Sequence, residues 1–138
     1  MEFEVKGQAF NAVHVESGVY PARLAQYTVR EITTRSGENR SVIIWTFEIT
    51  ATDGNTYLID GMTSTKFSVG RRPSKAVQWV QALLGRELKV GEKVNLDTLL
   101  GKECMVKVED RKIGDTVVSR VTDVIKKVAV QQPAKKKS

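Results

Sequence analysis

The sequence predicts an all-β domain with one helix, closed into a small barrel. Three observations carry this reading. Five β-rich segments lie between Gly18 and Lys127. The second and third are joined by Asp53-Gly54-Asn55, whose Asp-Gly pair supplies the positive φ of a tight hairpin; this makes them antiparallel neighbours and excludes a parallel α/β layout. Only one stretch, after Ser74, carries a helical apolar period.

The first segment, "GVYPARLAQYTVREIT", opens on a turn signal and holds Val19, Tyr20, Leu24, Tyr27, Val29 and Ile32. Pro21 stands near its start, where a missing N–H is tolerated. Thr34 to Asn39 reads as a loop. In "RSVIIWTFEITAT" the apolar residues Ile43, Trp45, Phe47 and Ile49 alternate with Thr46 and Glu48, which predicts a strand with one strongly buried face. "TYLIDGM" returns as the third strand. Ala76, Val77, Val80, Leu83 and Leu84 then recur at helical spacing, with Pro73 ahead of them and Gly85 behind. "LDTLLGK" suits a short helical turn. "ECMVKVEDR" and "DTVVSRVTDVIKKV" read as strands four and five, turning near Ile113-Gly114-Asp115.

Three strands, a helix and two strands is the order of the five-stranded OB-fold, whose helix lies between strands 3 and 4. Val77, Val80, Leu83 and Leu84 would then plug one open end of the barrel. Residues 18–127 form this domain. Residues 1–17 are an N-terminal arm or extra strand, and 128–138 a flexible basic tail.

The 138 residues suffice for one domain, and 41% hydrophobic residues suffice for a core. The net charge of +6 is unevenly placed. Five of the 22 Lys and Arg residues fall in residues 126–138, which hold no acid; the rest of the chain sets 17 cations against 16 acids. A nucleic-acid footprint must therefore be local on the body. The tail lysines serve solubility or non-specific phosphate attraction. No apolar run approaches the ~20 residues of a membrane-spanning helix, and "MEFEVKGQAF" has no export-signal core. The single cysteine, Cys104, fits a reducing cytoplasm.

Enzyme chemistry finds little to work with. One histidine, His14, and one cysteine give neither a zinc site nor a thiol–imidazole pair, and no phosphate-binding or dinucleotide glycine motif is present. No cofactor, metal or catalysed reaction is expected.

The segments "GVYPARL", "IIWTFEIT", "GMTSTKF", "SKAVQWVQALLGREL", "LLGKECMVKVED" and "SRVTDVI" together resemble phage-type single-stranded-DNA-binding OB proteins, over Gly18 to Ile125. The resemblance implies a cytoplasmic accessory of replication or recombination that coats exposed single strands. It also implies a binding role for Arg120, which matches an Asn-Arg-Val-like stretch that here reads Ser119-Arg120-Val121. Members of bacteria and many phages end in an acidic tail that recruits partner enzymes. This chain ends in Lys135-Lys136-Lys137, so that recruiting role is not carried over and replication or recombination proteins stay open as partners.

Single-strand binding needs cations to follow phosphates and flat side chains on which bases stack. In an OB barrel the site is the outward face of strands two and three, rimmed by the loops between strands one–two and four–five. Those loops, "TTRSGENR" and "RKIGD", supply Arg35, Arg40, Arg111 and Lys112, with Arg30 leading into the first. "MTSTKFSVGRRPSK", between the third strand and the helix, adds Lys66, Phe67, Arg71, Arg72 and Lys75 without an acid. Arginines ahead of a helix oppose its macrodipole, which favours an outside reason for them; the competing reading packs Phe67 under the loop. Trp45, Phe47 and Trp79 are expected in the core, and Tyr27 and Tyr57 on a wet stacking face. The rival functions are a protein–protein interaction module and a single-stranded-RNA binder. An uncovered strand edge would allow a homo-oligomer.

Overall fold

The structure, a computed structural model, describes residues 14–127. The basic tail and all but residues 14–17 of the N-terminal arm lie outside these. The strands are β1 (Gly18–Thr33), β2 (Asn39–Thr50), β3 (Thr56–Ser64), β4 (Glu103–Ile113) and β5 (Thr116–Ile125). A helix, α1 (Lys75–Leu84), and a single 3₁₀ turn, Leu96–Leu99, lie between β3 and β4. The strands form one antiparallel sheet in the order β3-β2-β1-β4-β5, an OB-like arrangement.

β1 serves both halves of the sheet. Its first part, Gly18–Arg23, pairs with β4, and Ala22–Thr33 pairs with β2. Between Leu24 and Gln26 the β2 register slips by one, leaving Ala25 as a bulge. A bulge bends a strand and increases its twist, which a long strand needs to wrap a barrel.

The turns follow the sequence. At the β2–β3 hairpin the Ala51 N–H donates to Asn55 O at 2.9 Å, and the Asp53 carboxylate accepts from Asn55 N and from the Tyr57 hydroxyl. These bonds hold the Asp53 carboxyl below its ordinary range, the Asn55 amide first and Tyr57 next. Gly85 ends α1 in the left-handed conformation at φ 76°, its N–H donating to Gln81 O.

The core lies where the alternation put it. Ile43, Trp45, Phe47 and Ile49 are buried, and the Trp79 ring sits 5.9 Å from both the Trp45 and Phe47 centroids. Tilted aromatic pairs at this distance add to the burial gain. The Trp45 indole N–H donates to the Thr63 hydroxyl at 2.9 Å, which satisfies its buried polar atom. Cys104 is buried as well, and burial pushes its thiol up to about 12.

Two contacts close the barrel beyond the strand ladders. Gly61 lets β3 approach β5: a Cβ there would lie 2.5 Å from the Trp79 ring and 2.8 Å from the Val121 carbonyl oxygen. Ser119 ties down the residues ahead of β1. Its hydroxyl accepts from Val15 N at 2.8 Å and donates to Val15 O at 3.1 Å, copying a ladder pair with a side chain.

Candidate nucleic-acid interface

Register assigns the faces, because residues paired across antiparallel strands point to the same side. Tyr27 pairs with Trp45, and Tyr57 with Ile49. Both tyrosines therefore stand on the core side, partly buried, with only their hydroxyls reaching polar partners: Tyr27 donates to Asp97 at 2.6 Å and Tyr57 to Asp53 at 3.0 Å. The Asp97 bond is the main cause raising the Tyr27 hydroxyl pKa. This corrects their expected place on a wet stacking face. For Tyr27 the reason is the Ala25 bulge, which shifts every later β1 residue by one relative to β2.

The outward face carries Gln26, Thr28 and Arg30 of β1, Thr46, Ile44 and Val42 of β2, and Asp60, Met62 and Ser64 of β3. Val42, Ile44 and Thr46 are nonetheless buried, and Thr46 donates to the buried Asp60 carboxylate at 2.7 Å. The wall is exposed along β1, at Gln26, Thr28 and Arg30, and again at its β3 end, at Met62 and Ser64.

There the chain brings four of the predicted cations together. A groove of about 320 Å³ is lined by Met62 of β3, Lys75 at the start of α1, Arg111, Lys112 and Ile113 of β4, and Arg120 of β5. Three local features place them. Lys75 is held by the α1 N-terminus, with its Nζ 5.1 Å from the Trp79 ring centroid, a cation–π seat on the core. Arg111 and Lys112 ride on the β4–β5 hairpin, where Gly114 turns the chain at φ 61°. Arg120 is half-buried, its guanidinium donating to Ser119 O at 2.9 Å.

The groove is electrostatically crowded. Burial holds the Lys75 ammonium below the ordinary lysine range, and Arg111 adds to this while Asp123 opposes it. Burial likewise holds Arg120 below its usual range, with Asp60 opposing and Arg111 adding. Like charges in a partly dehydrated setting attract an anion more strongly than scattered surface lysines do.

Pairing separates the arginines. Among the described residues Arg30, Arg35, Arg71, Arg72 and Arg111 form no salt bridge, whereas Arg23 and Arg86 each hold a glutamate at 2.6 Å. Arg40 makes a loose pair with Glu38 at 3.7 Å.

The remaining predicted residues lie elsewhere. Arg30, Arg35 and Arg40 are exposed along the β1–β2 hairpin. Arg71 and Arg72 stand at the tip of a loop closed at its base by two bonds, Ser74 N to Ser68 O at 3.0 Å and Ser68 N to the Ser74 hydroxyl at 3.1 Å. The Ser74 side chain thus closes the loop instead of capping α1. Lys66 is exposed two residues beyond β3. Phe67 is 40% exposed and lines grooves formed with the 88–96 connector, beside Glu92 and Val94, and not the cationic groove.

The cationic groove also has an apolar side that sequence reading missed, Met62 and Ile113, which are 38% and 53% exposed. An isoleucine at a hairpin tip beside Lys112 and Gly114 is the signal that could have found it.

Among the described residues no cluster of His, Cys, Asp and Glu could hold a metal ion, and no helix is long and apolar enough to cross a membrane. No known protein-family pattern matches the chain, and no curated protein matches it.

Proposed function

We propose that this protein binds single-stranded DNA with little sequence preference, as a non-catalytic accessory of replication or recombination acting in the cytoplasm. The observation that carries the reading is the convergence of Lys75, Arg111, Lys112 and Arg120 on one groove at the β3 end of the outward barrel face. Cations there draw in the phosphate backbone and release its counterions. Met62 and Ile113 offer apolar contact to a base or sugar, and the flat arginine groups can stack on bases where no aromatic ring faces the groove. Arg71, Arg72 and Lys66 extend positive charge along the chain ahead of Lys75.

Titration with oligo-dT, oligo-rU and duplex DNA at two salt concentrations, followed by fluorescence anisotropy, tests this. Tight, salt-dependent binding of the single strands over duplex is expected. Equal affinity for duplex would reduce the groove to simple charge attraction, and preference for oligo-rU would move the reading to RNA.

The rival reading, a protein-interaction module, has one observation of its own. Val90 is 88% exposed beside Phe67, Val94 and Leu88, an apolar strip apart from the cationic groove. Phe67→Ala leaves oligonucleotide affinity unchanged if this strip has no part in strand binding.

A further inference from the structure

We propose that residues 1–13 of this chain dock on the cationic groove and the wall beside it, and compete there with the single strand. The inference rests on the nucleic-acid reading above and adds how access to that site is regulated.

The chain enters the described residues at the rim of the groove. Gly18 pairs with Val108, and the residues ahead of it follow β4 toward its hairpin end. Val15 is buried, with its N–H and carbonyl both bonded to the Ser119 hydroxyl. His14 Nε2 lies 3.0 Å from the Asp110 carboxylate. Ser119 and Asp110 are the sequence neighbours of Arg120 and Arg111, which line the groove. Whatever precedes His14 is therefore tethered beside the site. Extended chain covers about 3.3 Å per residue, so residues 1–13 reach across the groove and the wall.

The chemistry of this segment matches the groove. Residues 2–5 read Glu-Phe-Glu-Val. Extended, they put acids on one side and apolar side chains on the other. The groove offers Lys75, Arg111 and Lys112 to the acids, Met62 and Ile113 to the apolar residues, and no carboxylate on its lining. Two carboxylates bear on these cations from outside the lining, Asp123 on Lys75 and Glu109 on Arg111. Glu109 is shared with Lys107 at 3.2 Å, so positive charge remains in excess. Arg120 is left out of this count, because Ser119 O and the charge of Asp60 already engage it.

The wall beside the groove has an apolar centre. Val42 and Ile44 point away from the core yet are only 5% and 4% exposed. Their cross-strand neighbours on that face, Thr28, Arg30, Met62 and Ser64, are all exposed. Apolar side chains withdrawn from water on an outward face suit a further apolar segment, which Phe3 and Val5 supply. A tethered segment acts at an effective concentration on the order of millimolar, so even weak docking excludes a dilute strand.

The test uses two full-length variants: Phe3→Ser with Val5→Ser, which alters no charge, and Glu2→Gln with Glu4→Gln. Without DNA, the methyl NMR signals of Met62 and Ile113 should move in the serine variant. Oligo-dT should bind both variants roughly tenfold more tightly than the unaltered chain, as freeing a site open in about one molecule in ten would give. The gain of the glutamine variant should fade as salt rises. Unmoved methyl signals, or unchanged affinity in either variant, overturn the inference and leave single-strand binding standing. Moved methyl signals with no oligo-dT binding by any of the three proteins remove the nucleic-acid reading, and with it the competition, while leaving the docked segment.

Discussion

Two grooves of similar size, about 320 and 370 Å³, open on this barrel, and they differ in the balance of cations and carboxylates beside them. The larger, beside Pro21 and Met105, has Arg23 and Lys127 on its lining, but each is bonded to a glutamate, Glu48 and Glu103 respectively. The Lys127 bond is the main reason the Glu103 carboxyl lies below its ordinary range. The smaller groove gathers Lys75, Arg111, Lys112 and Arg120, and no glutamate lines it. Concavity and the presence of cations are thus common to both. What distinguishes a candidate phosphate site is positive charge in excess of the carboxylates beside it.

The strongest way to break this contrast is to reverse that excess. Arg111→Glu with Lys112→Glu should weaken oligo-dT binding roughly a hundredfold at low salt, since like charges at a contact cost several kcal/mol. Both side chains are exposed on a hairpin, so the melting temperature should hold. An unchanged affinity would show that the groove does not bind the strand.

Next in size is Gly61→Ala, which strikes the floor of the same groove from the core side. The added methyl would meet Trp79 and the Val121 carbonyl, and such overpacking costs ~1–3 kcal/mol. Chemical denaturation should show that loss, with binding weakened as β3 and β5 separate.

Lys66→Ala, Arg71→Ala and Arg72→Ala together should lower affinity several-fold. The slope of log affinity against log salt should become shallower by about 0.7 for each phosphate no longer neutralised. An unchanged slope would confine the site to the groove.

A smaller effect separates the grooves by pH. Anion binding favours charged Lys75 and so raises its depressed pKa; affinity must therefore fall as pH climbs through the alkaline range. Lys75→Arg, which keeps its charge, should carry binding to higher pH. An identical alkaline limit in both proteins would remove Lys75 from the site.

The smallest effect is expected from Arg23→Ala. Breaking its exposed pair with Glu48 should change stability by ~0–1 kcal/mol and leave strand affinity unaltered. A large loss of binding would mean that paired cations contribute too, and the contrast would fall.

The sequence made the barrel legible through β2, where Ile43, Trp45, Phe47 and Ile49 alternate strictly, and through α1, whose Gly85 stop is sharp. Charge is legible as well: Lys75, Arg111, Lys112 and Arg120 stand out one by one in the sequence, and only the fold makes them converge. Faces are harder. Ala25 has no side chain large enough to advertise a bulge, yet it turns Tyr27 inward. Val42 and Ile44 are hidden although they point away from the core set, so alternation on β2 understates its burial. Phe67 sits in an acid-free stretch, but its side chain turns to a connector more than twenty residues downstream, a contact no local pattern encodes. The apolar side of the groove joins Met62 to Ile113 across the β3–β5 junction and is equally long-range.

The divided pairing of β1 has a temporal consequence. Its later half can zip onto β2 through a short hairpin as soon as both emerge from the ribosome, whereas its first residues must wait for β4, far downstream. Local hairpins form early, while ladders between distant segments carry the entropy of closing long loops. During synthesis the chain therefore holds the first part of β1 unmatched until β4 has emerged, and the groove between β3, β4 and β5 can form only after β5 has followed.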